Sequence, residues 1–271
     1  MKRFILSAFL LLGFGVLLAQ DSLPTVSEAQ ESDEKKENTT LNAQAIGAYD
    51  KGDYTEAVDL FKAELEQQKK EGQEAAGLYY NLGNAYFRSN DVAKAILNYE
   101  RALLLNPGDK DIRHNIDYAN TRIEDKILVA DQFVLTSWFL MIENLMSSNQ
   151  WAVFAIGCFL LLGACLVLFF FSKQVFPKKI AFYTGIVMIT FVILANVFSY
   201  RQKKEIEHRN SAIVMVGSAS VHSSPDSNSK ELFILHSGTK VVVLKEDRSW
   251  LEIEISDGNV GWIKRNMIEI I

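Results

Sequence analysis

The sequence predicts a multidomain protein that combines an α-helical solenoid, two transmembrane helices and a C-terminal all-β barrel. Three observations support this fold class: a helix–turn–helix repeat in the first half, two apolar runs of 21 residues in the middle, and alternating β-branched residues near the C-terminus. Hydrophobic residues make up 49% of the 271 positions, which is consistent with membrane segments. The formal net charge of −5 argues against a nucleic-acid partner.

The N-terminus has the pattern of an export signal. Lys2 and Arg3 precede an apolar run over 4–19, and the small residue Ala19 stands at a plausible cleavage point. The sequence therefore predicts a signal peptide over 1–19, with an uncleaved membrane anchor as the alternative. Residues 20–40 are polar and mostly acidic, a composition that predicts a disordered leader.

Residues 76–107 place small and aromatic side chains at the spacings of a helix–turn–helix repeat. These positions are Tyr79, Leu82, Gly83, Tyr86, Ala95, Tyr99, Ala102 and Pro107. They resemble the tetratricopeptide repeat (TPR), a unit of about 34 residues that stacks into peptide-binding solenoids. In this pattern Gly83 and Ala95 are small where the two helices touch, and Pro107 ends the second helix.

A single repeat cannot bury its apolar face alone, so we expect a neighbouring copy. A second copy of the repeat stands before this one in the chain. Ala57 corresponds to Ala95 at an offset of 38 residues, and we assign the extra residues to the polar stretch 66–74, which lengthens a helix or a loop. Residues 109–125 are helical but lack the small-residue pattern, which favours a capping helix. The TPR region with its cap is thus predicted over 41–126.

The TPR resemblance implies that the first helix of each repeat lines a concave groove. Tyr80, Asn84 and Arg88 form one stripe on such a helix, and Asn42 and Tyr49 occupy corresponding positions in the first repeat. An amide, a phenol and a guanidinium suit an extended peptide, with Asn84 on its backbone and Arg88 on a carboxylate. These five residues are the predicted partner-binding set of the groove. An ordinary solvated face is the alternative.

The middle of the chain predicts contact with a lipid bilayer. Residues 151–171 and 180–200 are uncharged and each matches the roughly 20 residues that cross a membrane. Upstream, 127–150 is apolar but interrupted by Asp131 and Glu143, which predicts an amphipathic helix on the membrane surface. A third spanning helix is the alternative for this stretch.

The order of these segments predicts the topology. An export signal followed by two spans places both soluble regions on the periplasmic side of the inner (cytoplasmic) membrane. Basic residues do not decide the orientation, because Lys178 and Lys179 lie between the spans while Arg201 and Lys203 follow the second one. The predicted orientation therefore depends on the signal peptide.

In residues 212–271 the apolar side chains recur with a period of two, which is typical of β-strands. Short runs over 241–244, 250–255 and 261–265 read as strands separated by turn residues. The order of landmarks resembles the bacterial SH3-like family, whose members bind peptides or cell-wall material. The landmarks are Val221, Pro225, Gly238, Trp250, Asp257, Gly258, Gly261, Trp262 and Ile263. We expect an SH3-like barrel that folds alone. Trp250 and Trp262 are the candidates for an exposed aromatic patch, with Trp250 as the predicted binding residue; the alternative is that one or both fill the barrel core, above all Trp262.

The whole architecture resembles the BatE-like membrane proteins of the Bacteroides aerotolerance group. That resemblance implies an envelope complex linked to aerotolerance or stress, with von Willebrand A-type and other TPR proteins as partners. The sequence contains no Ser–His–Asp set, Walker loop or GxGxxG motif, and its four histidines lack metal-ligand spacing. We therefore expect no enzyme, no cofactor and no metal site. The predicted function is an envelope scaffold for protein–protein interaction, and the alternative is sensing or tethering of the cell wall (peptidoglycan).

Overall fold

The computed structural model describes residues 41–126 and 134–271. The predicted signal peptide over 1–19, the acidic leader over 20–40 and the first part of the surface helix, 127–133, lie outside the described residues. The described chain is helical in its N-terminal part, continues into two long apolar helices, and ends in an antiparallel sheet.

Five helices form the first region. They are α1 (41–51), α2 (Tyr54–Lys70), α3 (Ala76–Arg88), α4 (Val92–Leu105) and α5 (Lys110–Asn120). Asp53, Asp91 and Asp109 precede α2, α4 and α5, and each carboxylate accepts a hydrogen bond from a main-chain N–H of the first turn. The additional residues between the repeats lengthen α2, which has 17 residues against 14 in α4.

The contact between α3 and α4 requires the small residue that the repeat pattern places there. A Cβ atom on Gly83 would lie 2.6 Å from the Tyr99 ring, so only glycine allows this approach. Tyr79 and Tyr99 are 1% and 2% exposed and fill the space around the contact. The helical core is therefore built by the residues that define the repeat.

Three helices follow: α6 (Val134–Glu143), α7 (Ser148–Phe171) and α8 (Val175–Glu207). Of the described helices, α7 and α8 are long and apolar enough to cross a membrane. Residues 172–174 separate the two helices, so α8 begins five residues before the apolar run over 180–200. Pro177 lies in the first turn of α8, where helical N–H groups lack intrahelical partners and proline is tolerated.

The two long helices pack as a hairpin through small residues. Ala155, Ala181, Gly185 and Ala195 are buried between them, whereas most of their large apolar side chains face outward. At the open end of the hairpin the Ser148 hydroxyl donates to a main-chain carbonyl of α8 at 2.9 Å. The pair thus leaves an apolar outer surface, as a membrane hairpin requires.

The described surface helix, α6, exposes most of its apolar side chains and buries only Glu143. Its ten residues span about 15 Å, roughly half of a bilayer core. The Arg201 guanidinium donates to the Glu143 carboxylate at 3.1 Å, and the Trp151 indole donates to the Glu143 carbonyl at 2.9 Å. These bonds hold the end of α6 against the open end of the hairpin.

The C-terminal region is a seven-stranded sheet with the order β3-β2-β6-β5-β4-β1-β7, and its strand pairs are antiparallel. The strands are β1 (Ser211–Val214), β2 (Ser218–His222), β3 (Glu231–His236), β4 (Lys240–Asp247), β5 (Trp250–Glu254), β6 (Val260–Lys264) and β7 (Ile268–Ile270). Leu251, Ile253 and Ile263 are at most 1% exposed and form its core with Val221. The predicted alternation in β5 therefore corresponds to buried and outward positions.

The sheet packs directly against the helical region. Ile213 and Ile271 belong to the same buried cluster as the α3 and α4 core. Arg101 of α4 donates to the Ile270 carbonyl at 2.7 Å and to the Glu269 carboxylate at 3.0 Å. Part of the apolar surface of the sheet is therefore covered by the TPR region, and folding of the C-terminal region alone stays a prediction.

Candidate functional site

The inner face of the helical region gathers side chains from α1, α3 and α5, together with the N-terminal end of α2. We call this cluster the groove. Its members are Tyr49, Tyr54, Tyr80, Asn84, Phe87, Arg88, Asn115, Tyr118 and Arg122. They are half-buried or exposed, so they form a surface and not a core.

Asn84 lies at the centre of the groove and is positioned by three helices. Its Oδ1 accepts from the Tyr99 phenol at 2.8 Å and from the Asn115 amide at 3.0 Å. The same Asn115 amide approaches the Tyr80 hydroxyl at 3.1 Å. Because its oxygen is occupied, Asn84 can offer a partner only its NH₂ group, which is a donor for peptide carbonyls.

Arg88 packs against an aromatic ring at the start of α2. Its Nη2 donates to the Tyr54 hydroxyl at 2.5 Å, and its guanidinium carbon lies 5.0 Å from the centre of the Tyr54 ring. Tyr49 meets Tyr54 edge-on, with ring centres 5.3 Å apart. Stacking on a ring leaves the remaining N–H groups of the exposed guanidinium free to bind a carboxylate in two-pronged geometry.

A second arginine of the groove packs against two further aromatic rings. The Phe87 and Tyr118 rings lie 5.4 Å apart, and the Arg122 guanidinium carbon lies 5.7 Å from the first and 5.8 Å from the second. Tyr118 is 49% exposed. The groove therefore carries two arginines, each against aromatic rings, beyond the amide pair toward the C-terminal ends of α3 and α5.

Burial determines the charge state of the phenols in this region. Desolvation raises the pKa of Tyr99 strongly and also raises the pKa of Tyr49, in both cases as the largest cause. Both side chains therefore remain neutral hydrogen-bonding groups at ordinary pH. The fixed positive charge of the groove comes from Arg88 and Arg122.

The structure brings together four of the five residues predicted for the groove: Tyr49, Tyr80, Asn84 and Arg88. Asn42 is half-buried, and no described contact joins it to the others. Its Oδ1 is buried without a hydrogen-bond partner among the described residues.

The sequence analysis missed the contribution of the capping helix and its end. Tyr118 and Arg122 lie 34 residues after Asn84 and Arg88, which is the repeat period. This spacing would have identified them, but the helix lacks the small-residue framework and was treated only as a cap. Asn115 lies 34 residues after Asn81, which is outside the predicted stripe, so only the folded structure identifies its role.

The predicted exposure of Trp250 is wrong. Trp250 is 8% exposed, although its alternation with Leu251 places it on the outward face of β5. The His222 ring meets it edge-on at 5.4 Å, and the Lys264 amine lies 5.6 Å from its ring centre. Neighbouring strands therefore cover a side chain that the alternation pattern alone would leave exposed.

Trp262, the second candidate for the exposed aromatic patch, is half-buried and does not fill the core. It pairs in register with His222 on β2 and with Glu252 on β5, and Glu252 forms an ion pair with Lys245 at 2.9 Å. Of the two predicted candidates, Trp262 therefore supplies the accessible ring of this outward row.

Two family models match separate parts of the chain, one in the helical region and one in the sheet. Residues 76–109 match the family model described as Tetratricopeptide repeat, and residues 217–269 match the one described as Bacterial SH3 domain. No curated protein matched the chain. The matches confirm the predicted repeat and the predicted SH3-like domain.

Proposed function

We propose that this chain is a non-enzymatic scaffold of the bacterial envelope, anchored in the inner membrane, that binds protein partners through its TPR groove and its SH3-like domain. The groove carries this proposal, because two exposed guanidinium groups against aromatic rings, together with the Asn84 amide, form a surface suited to peptides. Both matched families are protein-interaction modules.

The groove chemistry favours an extended acidic peptide. Arg88 and Arg122 supply charge-assisted donors, Asn84 supplies an amide donor, and Tyr54 and Tyr118 offer flat apolar surface. A peptide with carboxylates at both ends of a short extended stretch would meet all three kinds of group. The partner is therefore a protein segment with acidic and apolar side chains.

Anchoring is supported by the apolar hairpin of α7 and α8 and by the exposed apolar face of α6. Because the hairpin returns the chain to the side from which it entered, the two flanking regions share one side of the membrane. The direct packing of the SH3-like sheet on α4 supports the same arrangement. We assign that shared side to the periplasm, from the export signal in the sequence.

The order of domains leads us to propose a place in an aerotolerance or stress complex. The partners we propose are envelope proteins of the kind implied by the BatE-like resemblance, namely von Willebrand A-type membrane proteins and other TPR proteins. In this proposal the present chain contributes binding surfaces and a membrane anchor.

Crosslinking in the native membrane tests the groove. A tagged chain with Arg88→Ala and Arg122→Ala should recover its membrane partners at several-fold lower yield than the unmodified chain. The matched control, Lys70→Ala with Lys110→Ala, removes the same charge from exposed positions that make no described contact with the groove rings. Equal recovery of the same partners by both double variants would contradict a binding role for the groove.

A second candidate function is binding of the cell wall by the SH3-like domain. The observation that favours it is the outward row of His222, Trp262 and Glu252, which offers a ring and polar groups on one face of the sheet. Purified cell wall should then retain the full chain, and Trp262→Ala should reduce retention while Val242→Ala on the same face should not. Retention that is unchanged in Trp262→Ala would remove this candidate.

A further inference from the structure

The junction between the helical region and the SH3-like sheet contains a second polar cluster, which lies beside the cavity that Arg122 also lines. Asp125 follows α5 in an irregular segment, while His236 and Thr239 flank the turn between β3 and β4. We propose that Asp125 and His236 form a pH-sensitive latch that holds this turn of the sheet against the end of the TPR region.

Both oxygens of the Asp125 carboxylate have hydrogen-bond partners in the latch. Asp125 Oδ2 accepts from the His236 main-chain N–H at 2.7 Å and from the Thr239 hydroxyl at 2.6 Å. Asp125 Oδ1 lies 2.7 Å from His236 Nδ1. The Asp125 side chain is 13% exposed and Thr239 is 2% exposed, so the bonds form at a largely closed surface.

The turn packs closely against the helical region at Gly238. Gly238 has φ +93°, and a Cβ atom there would lie 2.5 Å from Ile123 and 3.3 Å from Ile96. Its N–H donates to the Val214 carbonyl at 2.8 Å. Lys240, beside the turn, donates to the Glu100 carboxylate of α4 at 2.7 Å. The latch therefore borders the apolar contact between the turn and the helical region, and its imidazole and carboxylate can change charge with pH.

Other charged groups face His236 as well. The Glu124 carboxylate lies 3.6 Å from His236 Nε2 and favours the charged imidazole. Arg122 and Asp91 line the same open cavity as His236, but Asp91 already pairs with Lys94 at 2.7 Å. The two nearest charges are thus both carboxylates, and they act in the same direction.

The direction of the pH effect follows from the two partners. The hydrogen bond to Asp125 raises the pKa of His236, so this contribution is complete below about 6.5 and is lost as pH rises through the raised value. Burial of Asp125 acts to raise its pKa, but hydrogen bonds from Thr239 and His236 outweigh it and lower the pKa. Its contribution is present above about 3.9 and is lost as pH falls through the lowered value.

The latch is therefore complete in mildly acidic conditions and weakens as the medium becomes alkaline. A neutral imidazole with a proton on Nδ1 can still donate to Asp125, so alkaline pH removes the ion pair and leaves a weaker hydrogen bond. Asp125 lies in the segment that follows the helix of Tyr118 and that contains Arg122, so the protonation of His236 would alter how firmly the sheet is held to this part of the groove.

Hydrogen exchange on the full chain in detergent micelles tests the proposal. The reporters are the amides of 236–239, with their exchange rates divided by the intrinsic rates at the same pH. Protection of this turn should be higher at about pH 5.5 than at about pH 8.5, by at most about ten-fold for each unit by which the pKa is raised. Amides of β5 in the same sample provide the internal reference and should not change.

Variants separate titration from structure. His236→Gln keeps a side-chain donor but cannot titrate, so the protection of the turn should become independent of pH. The control His208→Gln, at the exposed end of α8, should retain the pH profile of the unmodified chain. Asp125→Asn should lower protection at acidic pH and also flatten the profile. A flat profile in the unmodified chain, or an unchanged profile in His236→Gln, would overturn the proposal.

Discussion

Asn84 accepts a hydrogen bond from the Tyr99 phenol at 2.8 Å, and this bond connects the open face of the groove with the buried contact between α3 and α4. Tyr99 is 2% exposed and forms the surface against which Gly83 packs. A residue predicted from its position in a binding stripe is therefore also part of the framework. Binding and stability are coupled at Asn84, whereas Arg88 is exposed.

We predict that Asn84→Ala destabilises the protein and that Arg88→Ala does not. The alanine leaves the buried Tyr99 hydroxyl without its partner, which costs about 1–3 kcal/mol, whereas an exposed substitution changes the free energy of unfolding by about 0.5 kcal/mol or less. Thermal denaturation of the full chain in detergent measures the difference. Asn81→Ala, half-buried on the same helix, is the control. Equal melting of Asn84→Ala and Asn81→Ala would contradict a framework role.

We predict that Gly261→Val damages folding more than Lys264→Ala. A Cβ atom on Gly261 would lie 2.5 Å from Val221 and 3.1 Å from the His222 carbonyl, so added volume must displace the core of the sheet. Overpacking of this kind typically costs about 1–3 kcal/mol. Gly217→Ala is the matched control, because nothing lies within 4 Å of its added carbon. The comparison is made by melting temperature and by the yield of folded protein.

Much of each soluble region could be predicted from the sequence because its determinants are local. Gly83 and Gly261 both stand where the structure allows no side chain, and each was identified from its position in a repeat or in a strand. Alternation in β5 correctly separated Leu251 and Ile253 from the outward positions. Trp250 shows the limit of that pattern, since alternation tells which side of the sheet a residue faces but not which neighbours cover it.

The junction between the two regions could not be predicted in the same way. Ile213 lies on a strand of four residues and Ile271 directly follows a strand of three, and both strands are too short to show a reliable period. Their helical partners are more than 100 residues away along the chain. Arg101 likewise has no local signal for its bond to the Ile270 carbonyl, so the junction appears only in the folded structure.

We predict that the isolated fragment 210–271 folds but is less stable than the same domain in the full chain. Its own core of Val221, Leu251 and Ile263 remains, whereas Ile213 and Ile271 lose their cover. Full burial of an isoleucine contributes about 1.5–3 kcal/mol.

A paired substitution tests this dependence on the TPR region. Ile271→Ser should lower the melting temperature of the full chain clearly, but it should have little effect on the fragment, where the side chain is already exposed. Melting followed by circular dichroism on both proteins gives the two differences. If Ile271→Ser is equally damaging in the fragment, the residue stabilises the sheet itself and the junction contributes little.

The last prediction concerns the side of the membrane on which the two soluble regions lie. We replace Cys158 and Cys165, both free, by alanine and introduce single cysteines at three exposed positions: Ser89, Gln174 and Ser227. A membrane-impermeant maleimide added to intact spheroplasts should label Ser89→Cys in the TPR region and Ser227→Cys in the SH3-like domain. Gln174→Cys, between the two long helices, should be labelled only after lysis, because the hairpin carries it across the bilayer. Protection of either soluble site before lysis would contradict a periplasmic location, and labelling of Gln174→Cys in intact spheroplasts would show that the hairpin does not span the membrane.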